Sequence, residues 1–294
     1  MFGGLGLRVA VIGGAGRMGS WFAQYFLKQG HEVIISDVRV DRAEMVAKSL
    51  GVKASKNNVE AVRMADIALI STPINVTPKV LAEISSELTC SATVIEIASL
   101  KSRVLPALRK IAEKHVRALS IHPLFGPGLR EIVGGKIALI PVCDRRNEES
   151  LAKSLFPGAE IIVVDCETHD RVMAVTLALT HFINIIFASV VGDDDINLLK
   201  RLGGTTFTLQ LALSEGVMTE NPMLYATIQI DNEHALNYLE KFMSKANALK
   251  EFIRKSDFEG FIEFYEATRN LISKDEDFSR AYERMYSALK SLKN

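Results

Sequence analysis

The side chains best suited to chemistry in this chain are a histidine and a serine, each placed just after an apolar run. His122 follows residues 118–121 and opens the loop Pro-Leu-Phe-Gly-Pro-Gly, while Ser99 follows residues 93–97. A neutral imidazole can accept the proton of a substrate hydroxyl, and a serine hydroxyl beside it can orient it. The pair therefore predicts assisted hydride removal from a hydroxyl-bearing carbon. The structural alternative is that His122 caps a strand and Ser99 caps a helix.

A glycine-rich loop precedes this pair by about a hundred residues. Gly14-Ala15-Gly16-Arg17-Met18-Gly19 stands between a predicted strand and a predicted helix, which is the context of the dinucleotide-binding fingerprint. Gly14 permits the tight turn, and Gly16 lets the backbone come close to the cofactor's pyrophosphate. Gly19 allows the helix to pack closely on the strand. The helix-start amides then face the phosphates. We assign Gly14, Gly16, Arg17, Met18 and Gly19 to cofactor binding.

The choice of cofactor depends on an acid eighteen residues after Gly19. Asp37 ends the second predicted strand, where a carboxylate accepts from ribose hydroxyls and repels a 2′-phosphate, which favours NAD. Arg39 and Arg42 stand close by and would favour NADP instead. NAD is the predicted cofactor.

A further turn is assigned to the nicotinamide-side ribose. It consists of Ser71, Thr72 and Pro73, at the end of the apolar run 67–71. An ordinary strand-to-helix turn explains these three residues equally well.

The elements that must position these residues follow an α/β pattern over residues 1–165. Alternating apolar runs and amphipathic helices predict a Rossmann-type, doubly wound, mainly parallel sheet. From residue 166 to 294 helical patterns dominate, and they predict an all-α domain whose second helix breaks at Gly203-Gly204. The predicted strands are 8–12, 33–36, 67–71, 93–97, 118–121, 137–141 and 161–164. The late helices are 170–191, 195–214, 222–231, 235–254, 257–272 and 278–292.

Composition narrows the classes of partner and compartment. Lys plus Arg and Asp plus Glu both number 35, so no global field favours nucleic acid or an anionic membrane. The three cysteines lack metal or redox spacing, no histidine pair has the spacing of a metal site, and signal-peptide features are missing. We therefore expect a cytoplasmic protein without a metal.

One apolar segment is long enough to span a bilayer. Residues 172–191 contain no Asp, Glu, Lys or Arg, but His181 and Asn184 interrupt them. We interpret the segment as a central helix buried on all sides by other helices, and we expect no membrane partner.

The chain resembles the prephenate dehydrogenases, in particular the dehydrogenase part of the bacterial bifunctional chorismate mutase–prephenate dehydrogenases. The resemblance extends over nearly the whole chain. The matching pieces are residues 13–19, 72–77, 98–101, 122–127, 169–170, 178–182 and 224–226.

The resemblance implies NAD-dependent oxidative decarboxylation of prephenate to 4-hydroxyphenylpyruvate. In that scheme His122 accepts the hydrogen bond of the ring hydroxyl, Ser99 orients His122, and His181 reaches the substrate from the helical domain. Lys101, which could equally begin the next helix, and Gly126 join the expected substrate-binding residues. The helical domain dimerises in the family, so a homodimer is expected.

Two departures from the family pattern concern the substrate. Gly128 stands where an acid is frequent, and Ser214-Glu215-Gly216 stands where many members carry an arginine for a substrate carboxylate. Prephenate has two carboxylates, and burying them unpaired is costly. We expect a cation from Arg130, Arg171 or Arg201 to substitute. Without one, a different substrate is expected, for example arogenate, in which an amino group replaces a keto oxygen.

Two further functions stay open at this point. Another β-hydroxyacid or imino-acid dehydrogenase would share the two-domain plan, but these enzymes usually rely on a lysine in the helical domain, for which the chain offers no strong candidate. An NAD-sensing regulator without turnover would have no need of a proton acceptor beside Ser99.

Overall fold

The computed structural model describes residues 6–292 and divides the chain into two compact units. The first unit runs to Met173 and the second begins at Ala174. The boundary predicted from the sequence lies after residue 165. The helix Cys166–Met173 belongs to the first unit, where the Asp170 carboxylate accepts hydrogen bonds from the backbone amides of Lys101 and Ser102.

The first unit is built on one eight-stranded sheet in the order β3-β2-β1-β4-β5-β6-β7-β8. All pairs from β3 to β6 are parallel, β7 is antiparallel to β6, and β8 is parallel to β7. The strands are β1 (Arg8–Ile12), β2 (Glu32–Ser36), β3 (Lys53–Ala54), β4 (Ile67–Ile70), β5 (Thr93–Glu96), β6 (Arg117–Pro123), β7 (Lys136–Ile140) and β8 (Glu160–Val163). The order 3-2-1-4-5-6 is that of the Rossmann fold, so the predicted fold class is confirmed.

Helices connect these strands and cover them. Every residue of β4 and β5 is buried, as expected for strands packed on both faces. Phe22, Phe26 and Phe156 are fully buried in the main core. The helices of this unit are α1 (Arg17–Lys28), α2 (Val40–Leu50), α3 (Asn58–Val62), α4 (Thr77–Ile84), α5 (Leu105–Ala112), α6 (Arg145–Leu155) and α7 (Cys166–Met173).

Three short or polar elements were not predicted from the sequence. β3 has two residues and α3 has five, too few to show a period. α6 is largely polar, and it buries the Glu148 carboxylate, which accepts hydrogen bonds from the amides of Val142 and Cys143. Hydrophobic periodicity cannot identify a helix that is anchored in this way.

The second unit is entirely helical, as predicted. A π-helical segment, Ala174–Leu179, precedes the first helix. The predicted break at Gly203 is confirmed, because α9 ends at Leu202 and α10 begins at Thr205. The helices are α8 (Thr180–Val191), α9 (Ile196–Leu202), α10 (Thr205–Met218), α11 (Pro222–Ile230), α12 (Ala235–Lys255), α13 (Phe258–Ile272) and α14 (Ala281–Ser291), with a 3-10 turn at Phe278–Arg280.

The prediction that the apolar segment 172–191 is buried on all sides is wrong for the single chain. Cys166–Val191 is long and apolar enough to cross a membrane, and only 17% of its most apolar stretch is buried. Ile186 and Val190 are 47% and 61% exposed. α8 packs on α10, which leaves these side chains uncovered.

Candidate active site

The predicted chemical residues of the first unit meet at one edge of the sheet because β1, β2, β4 and β5 end at about the same level, while β6 continues three residues further to Pro123. The register pairs Ile12 with both Ser36 and Ile70, then Ile70 with Glu96, and Glu96 with Ser120. The carboxyl ends of parallel strands are where ligands bind in open α/β sheets, at the point where the strand order reverses. Here the order reverses between β1 and β4.

The turn after β1 and the first turn of α1 are packed too closely for side chains at Gly13, Gly14 and Gly19. A Cβ on Gly14 would lie 2.6 Å from Cβ of Ile35, and a Cβ on Gly19 would lie 2.2 Å from the Gly13 carbonyl oxygen. The amides of Gly13 and Gly14 both donate to the Ser36 carbonyl. Gly16, which has no side chain, occupies the N-cap position of α1. This cradle leaves the helix start open to a phosphate and therefore fits a dinucleotide.

The Asp37 side chain is buried and hydrogen-bonded to this loop. Its carboxylate accepts from the Ala15 amide at 3.2 Å and from Nε of Arg39 at 3.2 Å, and the residue is 8% exposed. The side chain of Arg39 is thus paired with the Asp37 carboxylate.

The Ser71–Thr72–Pro73 segment forms a tight turn into α4 that touches the glycine loop. The Thr72 and Thr77 hydroxyls are 2.9 Å apart, and Thr77 also donates to the Pro73 carbonyl. A Cβ on Gly13 would lie 2.3 Å from the Ser71 carbonyl oxygen. The turn is therefore close enough to border a nucleotide bound at the loop.

A chain of three polar side chains holds the candidate catalytic histidine. Nδ1 of His122 lies 3.0 Å from Nε2 of His169, and Nδ1 of His169 lies 2.7 Å from Oδ1 of Asp170. His122 is 5% exposed and lies inside β6, where it pairs with Ala138 of β7, rather than in a loop. The partner of His122 at Nδ1 is His169, which the sequence analysis did not assign, and the orienting role given to Ser99 stays a prediction.

Sequence reasoning placed His169 and Asp170 among the residues that match the family, with Asp170 as a helix cap, but gave neither a catalytic role. Both are buried on α7, some 47 residues beyond His122. The available signal was an adjacent His-Asp pair at the start of a helix that follows the last strand. Its proximity to His122 depends on how α7 returns to the sheet, which a sequence pattern does not encode.

The hydrogen bonds and pKa shifts of Asp170, His169 and His122 determine which ring nitrogen of His122 can accept a proton. Burial opposes ionisation of Asp170, but hydrogen bonds from His169 and from the Lys101 and Ser102 amides outweigh it and lower the pKa of Asp170 to about 2. Burial lowers the pKa of His169 although Asp170 raises it. A neutral His169 that donates from Nδ1 to the carboxylate must accept at Nε2.

His122 therefore donates from Nδ1 to His169 and keeps Nε2 as an acceptor. Burial, followed by His169 and Lys101, holds the pKa of His122 well below 6.5. The result is a neutral base at the edge of the sheet, which is the state that accepting a hydroxyl proton requires.

Lys101 does not face a substrate, in contrast to the prediction. Its side chain is fully buried, and Nζ donates to Oε1 of Glu96 at 2.7 Å and to the Ile121 carbonyl at 2.6 Å. The Ser120 hydroxyl contacts the same Glu96 oxygen, and the other oxygen accepts from the Ala98 amide. Burial lowers the pKa of Lys101 while Glu96 raises it. The pair joins the ends of β5 and β6 beneath His122.

The remaining predicted residues are distributed over both units. Ser99 is half-buried in the turn after β5, and Gly126 and Arg130 are exposed in the segment between β6 and β7. Arg171 is exposed on α7, and Arg201 is exposed on α9 of the second unit.

His181 lies on α8 of the second unit, against the Tyr225 ring at 4.5 Å. Its Nδ1 is buried without a hydrogen-bond partner among residues 6–292.

A Rossmann sheet, a glycine cradle at the reversal of strand order and a neutral buried histidine at the same edge define the class of dinucleotide-dependent dehydrogenases. Residues 22–139 match the family model described as prephenate dehydrogenase, nucleotide-binding domain. Residues 165–267 match the model described as prephenate dehydrogenase, dimerization domain. The chain belongs to the prephenate dehydrogenase family.

Individual relatives agree with this membership. A protein of Methanocaldococcus jannaschii named probable arogenate/prephenate dehydrogenase is 29% identical over 87% of this chain and 59% of its own length. The T-protein of Haemophilus influenzae is 27% identical over 90% of this chain and 66% of its own length. The chain thus spans less than two thirds of these two curated relatives.

A solved structure shares the fold. Prephenate dehydrogenase from A. aeolicus, in complex with hydroxyphenyl propionate and NAD+, matches with a TM-score of 0.73. At 20% identity the match covers 91% of this chain and 98% of that one.

The first prediction concerns the contribution of the buried Lys101–Glu96 ion pair to stability. Lys101→Met should lower the free energy of unfolding by about 3–5 kcal/mol, because it leaves the Glu96 carboxylate buried and uncompensated. Lys101→Met combined with Glu96→Gln should recover much of that loss. Urea unfolding followed by circular dichroism measures both.

Lys153→Met is the matched control for this test. It removes an exposed partner of Glu149, and solvent screening should leave stability almost unchanged. Equal losses in Lys101→Met and Lys153→Met would contradict the role given to the buried pair.

Proposed function

We propose that this chain catalyses the NAD-dependent oxidative decarboxylation of prephenate to 4-hydroxyphenylpyruvate. The observation that carries the proposal is the Asp170–His169–His122 chain, which leaves one neutral acceptor nitrogen at the edge that also holds the glycine cradle. Family membership supports the substrate class.

The reaction needs a proton acceptor at one substrate atom. NAD bound at the cradle would take the hydride from the ring carbon that bears the hydroxyl. Nε2 of His122 accepts the hydrogen bond of that hydroxyl and relieves the positive charge that develops on the carbon. Loss of carbon dioxide from the opposite ring carbon leaves its electron pair in the ring, which becomes aromatic. Asp170 acts through His169 to keep the His122 ring in the accepting tautomer.

The substrate carboxylates call for cations, since an unpaired buried carboxylate is costly. Arg130 and Arg171 belong to the same unit as His122 and are both exposed. Arg130 lies on the segment that directly follows His122, and Arg171 is the neighbour of Asp170. These two positions support the proposal that an arginine from this unit binds a substrate carboxylate. It would replace the arginine that many family members carry where this chain has Ser214-Glu215-Gly216.

Asp37 supports NAD over NADP. Its carboxylate is buried at the end of β2 and pointed at the loop through the Ala15 amide, so a 2′-phosphate there would meet a negative charge. Arg39 is already engaged by the same carboxylate.

The second unit supports a homodimer. Ile186 and Val190 are exposed in an 18-residue stretch of mean hydropathy 2.0, and this unit matches a dimerization domain. A second copy of the chain would remove these side chains from water.

The assay that tests the activity compares substrates and cofactors. We expect NADH to appear at 340 nm with prephenate and NAD, and to appear more slowly with arogenate or with NADP. His122→Asn should lower kcat about a hundredfold or more, because it removes the proton acceptor.

His115→Asn is the control for that assay. His115 is exposed with φ of 62°, a conformation that asparagine tolerates, so its activity should match the unaltered chain. Turnover of arogenate alone would replace prephenate as the substrate, and no turnover of either would reject the activity.

The pH dependence follows from the lowered pKa of His122. A base with its pKa well below 6.5 is already neutral at that pH, so kcat/KM should be flat from about pH 8 down to 6.5 and fall only in more acid solution. The measurement is initial NADH formation against pH at subsaturating prephenate. An acid limb centred at or above 6.5 would show that the imidazole is not held neutral by its surroundings.

Light scattering coupled to size exclusion tests the assembly. The chain should elute in detergent-free buffer with about twice its 32.4 kDa mass. Ile186→Glu combined with Val190→Glu should shift it towards the monomer while leaving the fold intact, because charges oppose burial of this face. A monomer at all concentrations, or a requirement for detergent, would argue against the homodimer.

A further inference from the structure

Helix α1, which begins at the glycine cradle, carries the single tryptophan of the chain. Nε1 of Trp21 donates a hydrogen bond of 2.6 Å to the carbonyl oxygen of Leu129. Leu129 lies between β6 and β7, in the segment 124–135, which we call the histidine loop because it directly follows His122 and Pro123. One side chain therefore links the nucleotide-binding helix to that loop.

The indole ring also packs against the loop. Its centroid lies 5.1 Å from that of Phe125 in the histidine loop, and 5.7 Å from that of Tyr25, one turn further along α1. The Trp21 and Tyr25 rings are parallel within 2°. Stacking restricts the ring to one orientation, which directs Nε1 at the Leu129 carbonyl.

Within residues 6–292, the backbone–backbone hydrogen bonds of the loop do not reach α1: the Leu124 amide donates to the Lys136 carbonyl and the Gly134 amide donates to the Gly158 carbonyl. The Leu129 amide donates to Gly126 and the Gly135 amide donates to Ile132, so these bonds lie within the loop itself. Ile132 is buried in the core, whereas Gly126 and Arg130 are exposed. Arg130 is the residue next to Leu129, so its backbone directly adjoins the Trp21 hydrogen bond.

We propose that Trp21 is a positioning residue that fixes the histidine loop, and with it Arg130, relative to helix α1 and His122. The proposal rests on the proposed function in taking Arg130 as a contact for a substrate carboxylate. Trp21 would then contribute to the placement of the anionic substrate without touching it. Without the hydrogen bond the loop samples other positions, and substrate binding must supply the lost ordering.

The experiment compares two substitutions on the same helix. Trp21→Phe keeps an aromatic ring and removes the donor to Leu129. Tyr25→Phe likewise keeps the ring and removes a donor, because the Tyr25 hydroxyl donates to the buried Leu155 carbonyl at 2.7 Å. Tyr25→Phe therefore controls for the loss of one ring-to-backbone hydrogen bond from α1.

Two readouts separate positioning from general stability. Hydrogen exchange followed by mass spectrometry should show faster exchange in residues 124–135 for Trp21→Phe and not for Tyr25→Phe, although both lower the melting temperature. The KM for prephenate should rise about threefold to tenfold in Trp21→Phe, with kcat within about twofold, as expected when uniform binding is lost. Tyr25→Phe should leave KM unchanged.

The Arg130→Met variant tests whether the histidine loop affects the KM for prephenate through Arg130. Arg130→Met should itself raise the KM for prephenate, and Trp21→Phe should add little in that background, because the two residues act on the same contact. Fully multiplicative effects would overturn the link to Arg130.

Unchanged exchange in the histidine loop, or an unchanged prephenate KM in an active Trp21→Phe enzyme, would overturn the positioning role. If the unaltered chain turns over neither prephenate nor arogenate, the proposed function fails. The exchange experiment then still decides whether Trp21 holds the loop.

Discussion

The ionised carboxylate of Asp170 is the interaction on which the candidate site depends. An unpaired charge in a protein interior is costly, and this one is balanced by donors from two elements: the amides of Lys101 and Ser102, and the ring of His169. Because the carboxylate accepts only, His169 must donate to it, and the tautomer of His122 follows from that of His169. One charge thereby decides which nitrogen of His122 is available, and it docks α7 on the turn after β5.

The buried ion pair between Lys101 and Glu96 also influences His122. Lys101 holds the Ile121 carbonyl, one residue before His122, while Glu96 holds the Ala98 amide, one residue before Ser99. A buried ion pair contributes little net stability relative to apolar side chains, but it fixes geometry strictly because neither partner can be moved alone. The Lys101 ammonium also disfavours a proton on His122. The two charge clusters therefore place this imidazole and keep it neutral.

Sequence patterns predicted the features that are local in the chain. The glycine loop, the Rossmann-type fold and the position of His122 near a strand end all depend on short spacings and continuous apolar runs. The same reasoning assigned Lys101 to substrate, since a lysine is usually exposed and its burial depends on Glu96 and on a carbonyl twenty residues away. It missed His169 for a similar reason. Contacts between distant elements decided both cases, and periodicity does not report such contacts.

The apolar helix of the second unit shows the same limit, because hydropathy alone does not distinguish a lipid neighbour from a protein neighbour. The polar residues around it do carry information. Asn184 is buried and its amide oxygen accepts from Gln210 and Ser214 of α10, so one side of α8 is committed to its own chain. On the outside, Thr176 and Thr180 are exposed beside Ile186 and Val190. Protein interfaces are only moderately apolar, so exposed threonines together with aliphatic side chains are compatible with a second protein surface. The proposal that a second copy of the chain covers this face therefore depends on the match of the unit to a dimerization domain, and not on hydropathy.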